Sequence, residues 1–202
     1  MHFRKTVTLH VGKKPIVSEV EQDTLCAIAR HSIMYYLDSG KVPPPPLTGL
    51  TTLNTMRGCM IKIRVGGEVR GVAGYILPIK PLSAGVAEMA CRAASGSGRY
   101  SPLKPEDLDS AFIELTIVSD LKTIESDTSI TLETDGLIIS RGNNVGGIVM
   151  PDEVVRCSSS DAALDTLLTR SRTSKEEWLQ KGVTIQTFTV QIFREQGSLP
   201  EK

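Results

Sequence analysis

Gly66-Gly67 restricts the fold of this chain more than any other pair of residues. Before it, Cys59, Ile61, Ile63 and Val65 alternate with Met60, Lys62 and Arg64. After it, the run from Glu68 to Ile76 carries Val69-Arg70-Gly71-Val72-Ala73-Gly74-Tyr75. A period of two marks strands. Two glycines between two such runs mark a two-residue hairpin turn of the primed type, which needs positive φ at both positions. Counting back from the turn pairs Val65 with Glu68, Ile63 with Arg70 and Ile61 with Val72. Directly paired residues share a face. Arg70 is therefore expected beside Ile61, Ile63, Val65 and Val72, with Lys62, Arg64 and Val69 on the other face.

An arginine on an apolar face needs acceptors for its fixed fork of donors. Three readings stay open at this stage. Arg70 is a structural ion-pair member, with Glu68, Glu114 or Asp120 as candidate partners. Alternatively it faces an anion in a cleft. Otherwise the register slips and the side chain enters solvent.

The remaining elements follow from period and punctuation. Phe3, Lys5, Val7, Leu9 and Val11 alternate with polar residues and read as a strand. Ser18-Glu19-Val20-Glu21 is a capping box opening a helix whose apolar stripe is Leu25, Ile28, Ala29, Ile33, Tyr36 and Leu37. Gly40 stops that helix, and Pro43 to Pro46 make a stiff spacer. Leu82, Val86, Met89, Ala90 and Ala93 mark a second helix, closed by Gly96 and Gly98. Phe112 to Val118 reads as a strand. Ile130 to Glu133 and Leu137 to Ser140 flank Asp135-Gly136 and read as a hairpin. A second turn at Arg141-Gly142-Asn143-Asn144 leads to a strand at Gly147 to Met150. Short helices are expected over Asp161 to Thr169 and Ser174 to Lys181, and one long strand over Thr184 to Phe193. Hairpins with flanking helices, and no regular βαβ alternation, give an α+β class with mainly antiparallel sheets, as one domain or one domain of two lobes.

Charge and cysteine usage narrow the function classes. Lys plus Arg and Asp plus Glu each number 23, a formal net charge of 0. General nucleic-acid binding draws on many phosphate contacts and is not expected. No apolar run is long enough to span a bilayer. Met1-His2-Phe3-Arg4-Lys5 leads into alternating Thr and Val rather than a signal-peptide core, so the chain reads as cytoplasmic. Cys26, Cys59, Cys91 and Cys157 are scattered and read as reduced thiols. The three histidines all fall in the first 31 residues. Neither a metal nor a cofactor is implied.

The order of segments resembles the AMMECR-type domain family. Arg70-Gly71-Val72-Ala73-Gly74 matches the family's Arg-Gly-Cys-Ile-Gly hallmark. Arg99-Tyr100-Ser101-Pro102-Leu103 is similar to its Arg-Phe-Pro-Pro-Leu stretch. Asp135-Gly136-Leu137-Ile138-Ile139 resembles its Asp-Gly-Leu-Ile-Val run, and Val149-Met150-Pro151-Asp152 its Leu-Leu-Pro-Gln segment. Arg57-Gly58-Cys59-Met60 imitates the hallmark but lies one strand early. It matches the family's preceding Arg-Gly-x-Phe-Val strand. Val72 then stands at the hallmark cysteine position and can be neither nucleophile nor ligand. The resemblance implies a fold more than an activity. It sets an N-terminal strand or extension over 1–17, the AMMECR-type domain over 18–195 and a frayed tail over 196–202.

Other constellations have plain readings. Gly96-Ser97-Gly98 follows a helix rather than opening one, so a helix stop outweighs a phosphate loop. Cys59 shares a face with Ile61 and Ile63 and has no histidine nearby to act as base, so it reads as core. His31 sits beside the first helix's apolar stripe and reads as partly exposed. Glu106, Asp107 and Asp109 read as a solvated loop, and Trp178 as a core anchor. The expected role is a binding or scaffold module that recognises a protein or a small anionic ligand in a cleft near Arg70 and Arg99. The candidate ligand-binding residues are Arg70, Gly71, Arg99, Tyr100, Glu114, Met150 and Pro151. The alternative is an enzyme holding a small anionic substrate on Arg70 and Arg99, with an acidic residue such as Glu114 as general base.

Overall fold

The computed structural model describes residues 6–11, 14–44, 46–96, 98–142, 144–179 and 182–195. Phe3 and Lys5 of the expected first strand, the tail over 196–202, and Pro45, Ser97, Asn143 and Lys181 lie outside the described residues. The chain forms two compact units. Of the described residues, one unit holds 6–11, 15–118 and 191–195, and the other holds Lys14 and 119–190.

The first unit opens with β1 (Thr6–Val11) and helix α1 (Glu19–Ser39). Ser18 and Glu21 cap α1 reciprocally, and Gly40 ends it at φ 70°. Leu25, Ala29 and Ile33 are buried, and Ile28, Tyr36 and Leu37 pack against the same core. That is the stripe the 3.6-residue period predicts. A 3₁₀ turn over Thr51–Asn54 leads to β2 (Cys59–Val65) and β3 (Glu68–Tyr75), joined by Gly66-Gly67, both at positive φ. Helix α2 (Leu82–Ala94) packs on β2, β3 and α1. A second 3₁₀ turn, Pro105–Asp107, precedes β4 (Ala111–Val118).

The second unit contains β5 (Lys122–Thr123), β6 (Gly136–Arg141), β7 (Asn144–Val149), α3 (Pro151–Val154), α4 (Ser160–Ser171), α5 (Lys175–Trp178) and β8 (Val183–Phe188). β9 (Val190–Glu195) follows. Strand order is β1-β9-β4-β2-β3 in one sheet and β5-β8-β6-β7 in the other. Both sheets are antiparallel in the pairs described, so the α+β class stands. Each sheet has its own core. Cys59, Ile61, Ile63, Ile113, Leu115 and Ile117 meet α1 and α2 in the first. Leu137, Ile139, Val149, Leu164, Leu167, Ile185 and Trp178 fill the second, where Trp178 is the anchor its sequence context suggests.

Three expectations are corrected. The hairpin register departs from simple counting. Val65 pairs with Glu68 and Arg64 with Val69, but Ile63 then pairs with Gly71, Lys62 with Val72 and Ile61 with Ala73. A β-bulge at Arg70 inserts one residue and reverses the faces beyond it. Ile130–Glu133 is not a strand either. It is a turn in which the Asp135 carboxylate accepts the Thr131 amide at 2.9 Å, and β6 pairs instead with β7 and β8. The expected final strand is two strands in two sheets, parted at Thr189. The Thr189 amide donates to Ser119 Oγ at 2.9 Å, and the Ser119 amide donates back to the Thr189 carbonyl at 2.9 Å.

Candidate functional site

The bulge has a steric cause. Gly71 faces α2, and a Cβ built there would lie 2.0 Å from the Ala93 carbonyl oxygen. Only a residue without a side chain fits opposite Ile63 beneath that helix. The extra residue, Arg70, is carried to the sheet edge, where its side chain is 34% exposed. Its Nη2 lies 3.4 Å from Asp107 Oδ2, and the same oxygen accepts the Lys104 amide at 2.9 Å. The partner is therefore Asp107, and not Glu68, Glu114 or Asp120. A long, partly exposed pair of this kind contributes about 0–1 kcal/mol. The Arg70 Nε–H is shut off from solvent and has no acceptor.

Arg99 and Tyr100 belong to the same end of α2. Gly96, at φ 77°, folds the chain back so tightly that an added Cβ would sit 2.8 Å from the Tyr100 carbonyl oxygen. Leu103 then donates to the Ala94 carbonyl at 2.8 Å. Arg99 is exposed and Tyr100 half-buried. Arg70, Gly71, Arg99, Tyr100 and Lys104 are thus gathered at the carbonyl end of α2. Lys104 Nζ pairs with Glu106 Oε1 at 3.5 Å and Arg99 is exposed, so neither calls for a ligand. The unfilled donor of Arg70 has no such account.

Glu114 is not brought to Arg70. It shares a sheet face with Lys62 and Val72, opposite to Gly71, and accepts Lys62 Nζ at 2.7 Å. The enzyme reading would need its base beside Arg70, where the described carboxylate is Asp107. Met150 and Pro151 lie in the second unit and open α3, with the Met150 amide donating to Glu153 Oε2 at 3.0 Å. Asp107, expected as one acid of a solvated loop, is instead half-buried and paired. Its signal is position: it stands three residues after Lys104, behind Pro105, where an acidic side chain folds back on the preceding amide.

Cys59 is fully buried on the core face of β2. Burial pushes its thiol up to about 12, and that of Cys91 up to about 11. Burial likewise raises the Cys26 thiol and the neighbouring Tyr75 phenol. These thiols are not nucleophiles at neutral pH. A thiol reagent is expected to label native protein quickly at half-buried Cys157 alone, with the other cysteines reacting only on unfolding. Cys59→Ser should leave the fast phase unchanged and cost about 1–2 kcal/mol. Loss of a fast-reacting thiol in that variant would refute the assignment. Among the described residues, no cluster of three or more His, Cys, Asp or Glu could hold a metal ion, and no helix is long and apolar enough to cross a membrane.

A concavity of about 530 Å³ lies between α1 and the proline run, away from Arg70. Ala27, Ile28, His31 and Tyr35 form one wall, and Pro43 and Pro46 the other. The prolines therefore act as more than a spacer: Pro43 is buried.

A five-stranded sheet backed by two helices, a separate four-stranded sheet with its own core, and a bulged Arg-Gly hairpin packed under α2 define an α+β protein of two units. The family model described as AMMECR1 matches residues 26–193, and the chain belongs to that family. A protein of Methanothermobacter thermautotrophicus is 28% identical, covering 90% of this chain and 97% of its own length. Protein MJ0810 of Methanocaldococcus jannaschii is 30% identical over 74% of this chain and 80% of its own. The crystal structure of uncharacterized protein PH0010 from Pyrococcus horikoshii is similar, with a TM-score of 0.67, 25% identity, and coverage of 86% of this chain and 90% of that one.

Proposed function

We propose that this protein is a binding module that takes a carboxylate or phosphate group of its partner on Arg70, with Arg99 and Tyr100 flanking the contact. The observation that supports it is the Arg70 Nε–H, which is buried without an acceptor. Buried donors are nearly always satisfied, and an orphan calls for an explanation. A guanidinium binds a planar or tetrahedral oxyanion through two parallel donors, and Nε with Nη2 is such a pair. Asp107 holds only Nη2, and at 3.4 Å it is readily displaced. The zero net charge favours one discrete acidic group over a polyanion. The reading includes a cytoplasmic setting, supported by four unpaired cysteines, three of them buried.

Inorganic phosphate is the probe. Titrated into labelled protein, it is expected to shift the Arg70 Nε–H resonance saturably in the millimolar range. The backbone amides of Gly71 and Tyr100 should shift with it, and Arg70→Gln should abolish that amide response while leaving the melting temperature within a few degrees of wild type. A resonance that stays fixed up to high phosphate would overturn the reading. So would an Arg70→Gln variant that melts early yet keeps the phosphate response.

A further inference from the structure

The second unit carries an open strand edge and a device that closes it. β7 is the last strand of its sheet. The direction of its backbone groups follows from its neighbours. Ile185 accepts the Ile124 amide through its carbonyl, so its peptide groups face away from β6. Peptide groups alternate along a strand, so Gln186 faces β6, where Ile138 is its partner. Ile138 is thereby committed to β8. Ile148, opposite Ile138 on β7, must turn its own N–H and C=O toward the open edge.

That edge is a template for strand addition. Asn144–Val149 has no charged side chain, Val145 is 41% exposed, and β-branched residues flank Gly146-Gly147. Uncharged edges of this composition invite pairing with another chain. Two blunting features are present. The first is a bulge: Ile139 pairs with Gly147 and Ser140 with Val145, leaving Gly146 over. The second is Arg170 of α4. Its Nη1 donates to the outward Ile148 carbonyl. Glu153 holds the guanidinium from behind, Oε2 to Nη1 at 3.1 Å and Oε1 to Nη2 at 2.9 Å. Glu153 is itself fixed by the Met150 amide, and the Arg170 fork holds its carboxyl below the usual range.

We infer that Arg170, clamped by Glu153, is a guard that prevents β7 from pairing with β7 of a second copy of this chain. A second copy is the natural occupant because two identical edges pair antiparallel about a two-fold axis, each satisfying the other with the same surface. An uncharged strand meets no like-charge penalty in doing so.

The test is sedimentation velocity over a concentration series. Arg170→Met keeps the stem that covers the helix but can neither donate nor pair. It is expected to self-associate roughly tenfold or more tightly than wild type. Adding Val145→Lys, which places a charge on the edge, should return the double variant to wild-type behaviour. A folded Arg170→Met protein that sediments like wild type would overturn the inference, as would association that Val145→Lys leaves unchanged. Should Arg170→Met fail to fold, Arg170→Leu serves instead. It likewise removes both the charge and the donors and must show the same reversible association for the inference to stand.

Discussion

Gly71→Ala is expected to be the most damaging small substitution in the first unit. The added methyl would fall 2.0 Å from the Ala93 carbonyl oxygen and 2.9 Å from its carbon. Both are backbone atoms within α2, so no side chain can turn aside. Either α2 lifts away from β3, or the bulge is lost and Arg70 is driven back opposite Ile63. The first opens the contact of Val86, Met89, Ala90 and Ala93 with the sheet; the second buries a guanidinium. Overpacking of this kind costs about 3 kcal/mol or more, out of a total stability of roughly 5–15 kcal/mol. The expected readout is a melting temperature lower by roughly 6–12 °C. A variant within ~0.5 kcal/mol of wild type by urea denaturation would show that α2 does not fix the bulge.

Breaking the Arg30–Glu195 pair should have a comparable effect through different physics. Arg30 Nε lies 2.8 Å from Glu195 Oε1, and its Nη1 and Nη2 donate to the carbonyls of Leu108 and Ala111 at 3.2 and 2.9 Å. Glu195 is only 3% exposed. Arg30→Met leaves a buried carboxylate without its cation and takes away the guanidinium donors of the Leu108 and Ala111 carbonyls, just before and at the start of β4. Loss of one partner from such a pair costs about 3–5 kcal/mol. Replacing both, as Arg30→Met with Glu195→Met, should recover a large part of that loss, because the cost lies in the stranded charge. A double-mutant cycle in equilibrium denaturation measures the difference. Strict additivity of the two single substitutions would refute the coupling.

Much of the fold is legible in the sequence because its signals are local. Ser18 and Glu21 cap α1 within one turn of chain, Gly40 ends it, and Gly66-Gly67 forms the hairpin that two glycines between alternating runs imply. What escapes is decided from a distance. The bulge depends on the Ala93 carbonyl, more than twenty residues from Gly71 along the chain. Asp107, the partner of Arg70, lies 37 residues away and reads on its own as one acid of a loop. Asp135-Gly136 carries a hairpin signature, but the Asp135 carboxylate takes the Thr131 amide and builds a local turn instead. Short polar side chains compete with strand pairing in this way. The alternation from Thr184 to Phe193 gives no hint of its break, because Ser119, seventy residues earlier, makes it.

The place of β9 bears on how the protein is made. It lies between β1 and β4, in the interior of the five-stranded sheet, yet it is the last of the described strands along the chain. During synthesis the ribosome releases Ser119–Val190 with all four strands of their own sheet before β9 leaves the exit tunnel. Until then β1 has no neighbour and β4 has one bare side. Every strand of the second unit's sheet precedes β9 in the chain, so that sheet can form without it, whereas the first unit's sheet is complete only when β9 has docked.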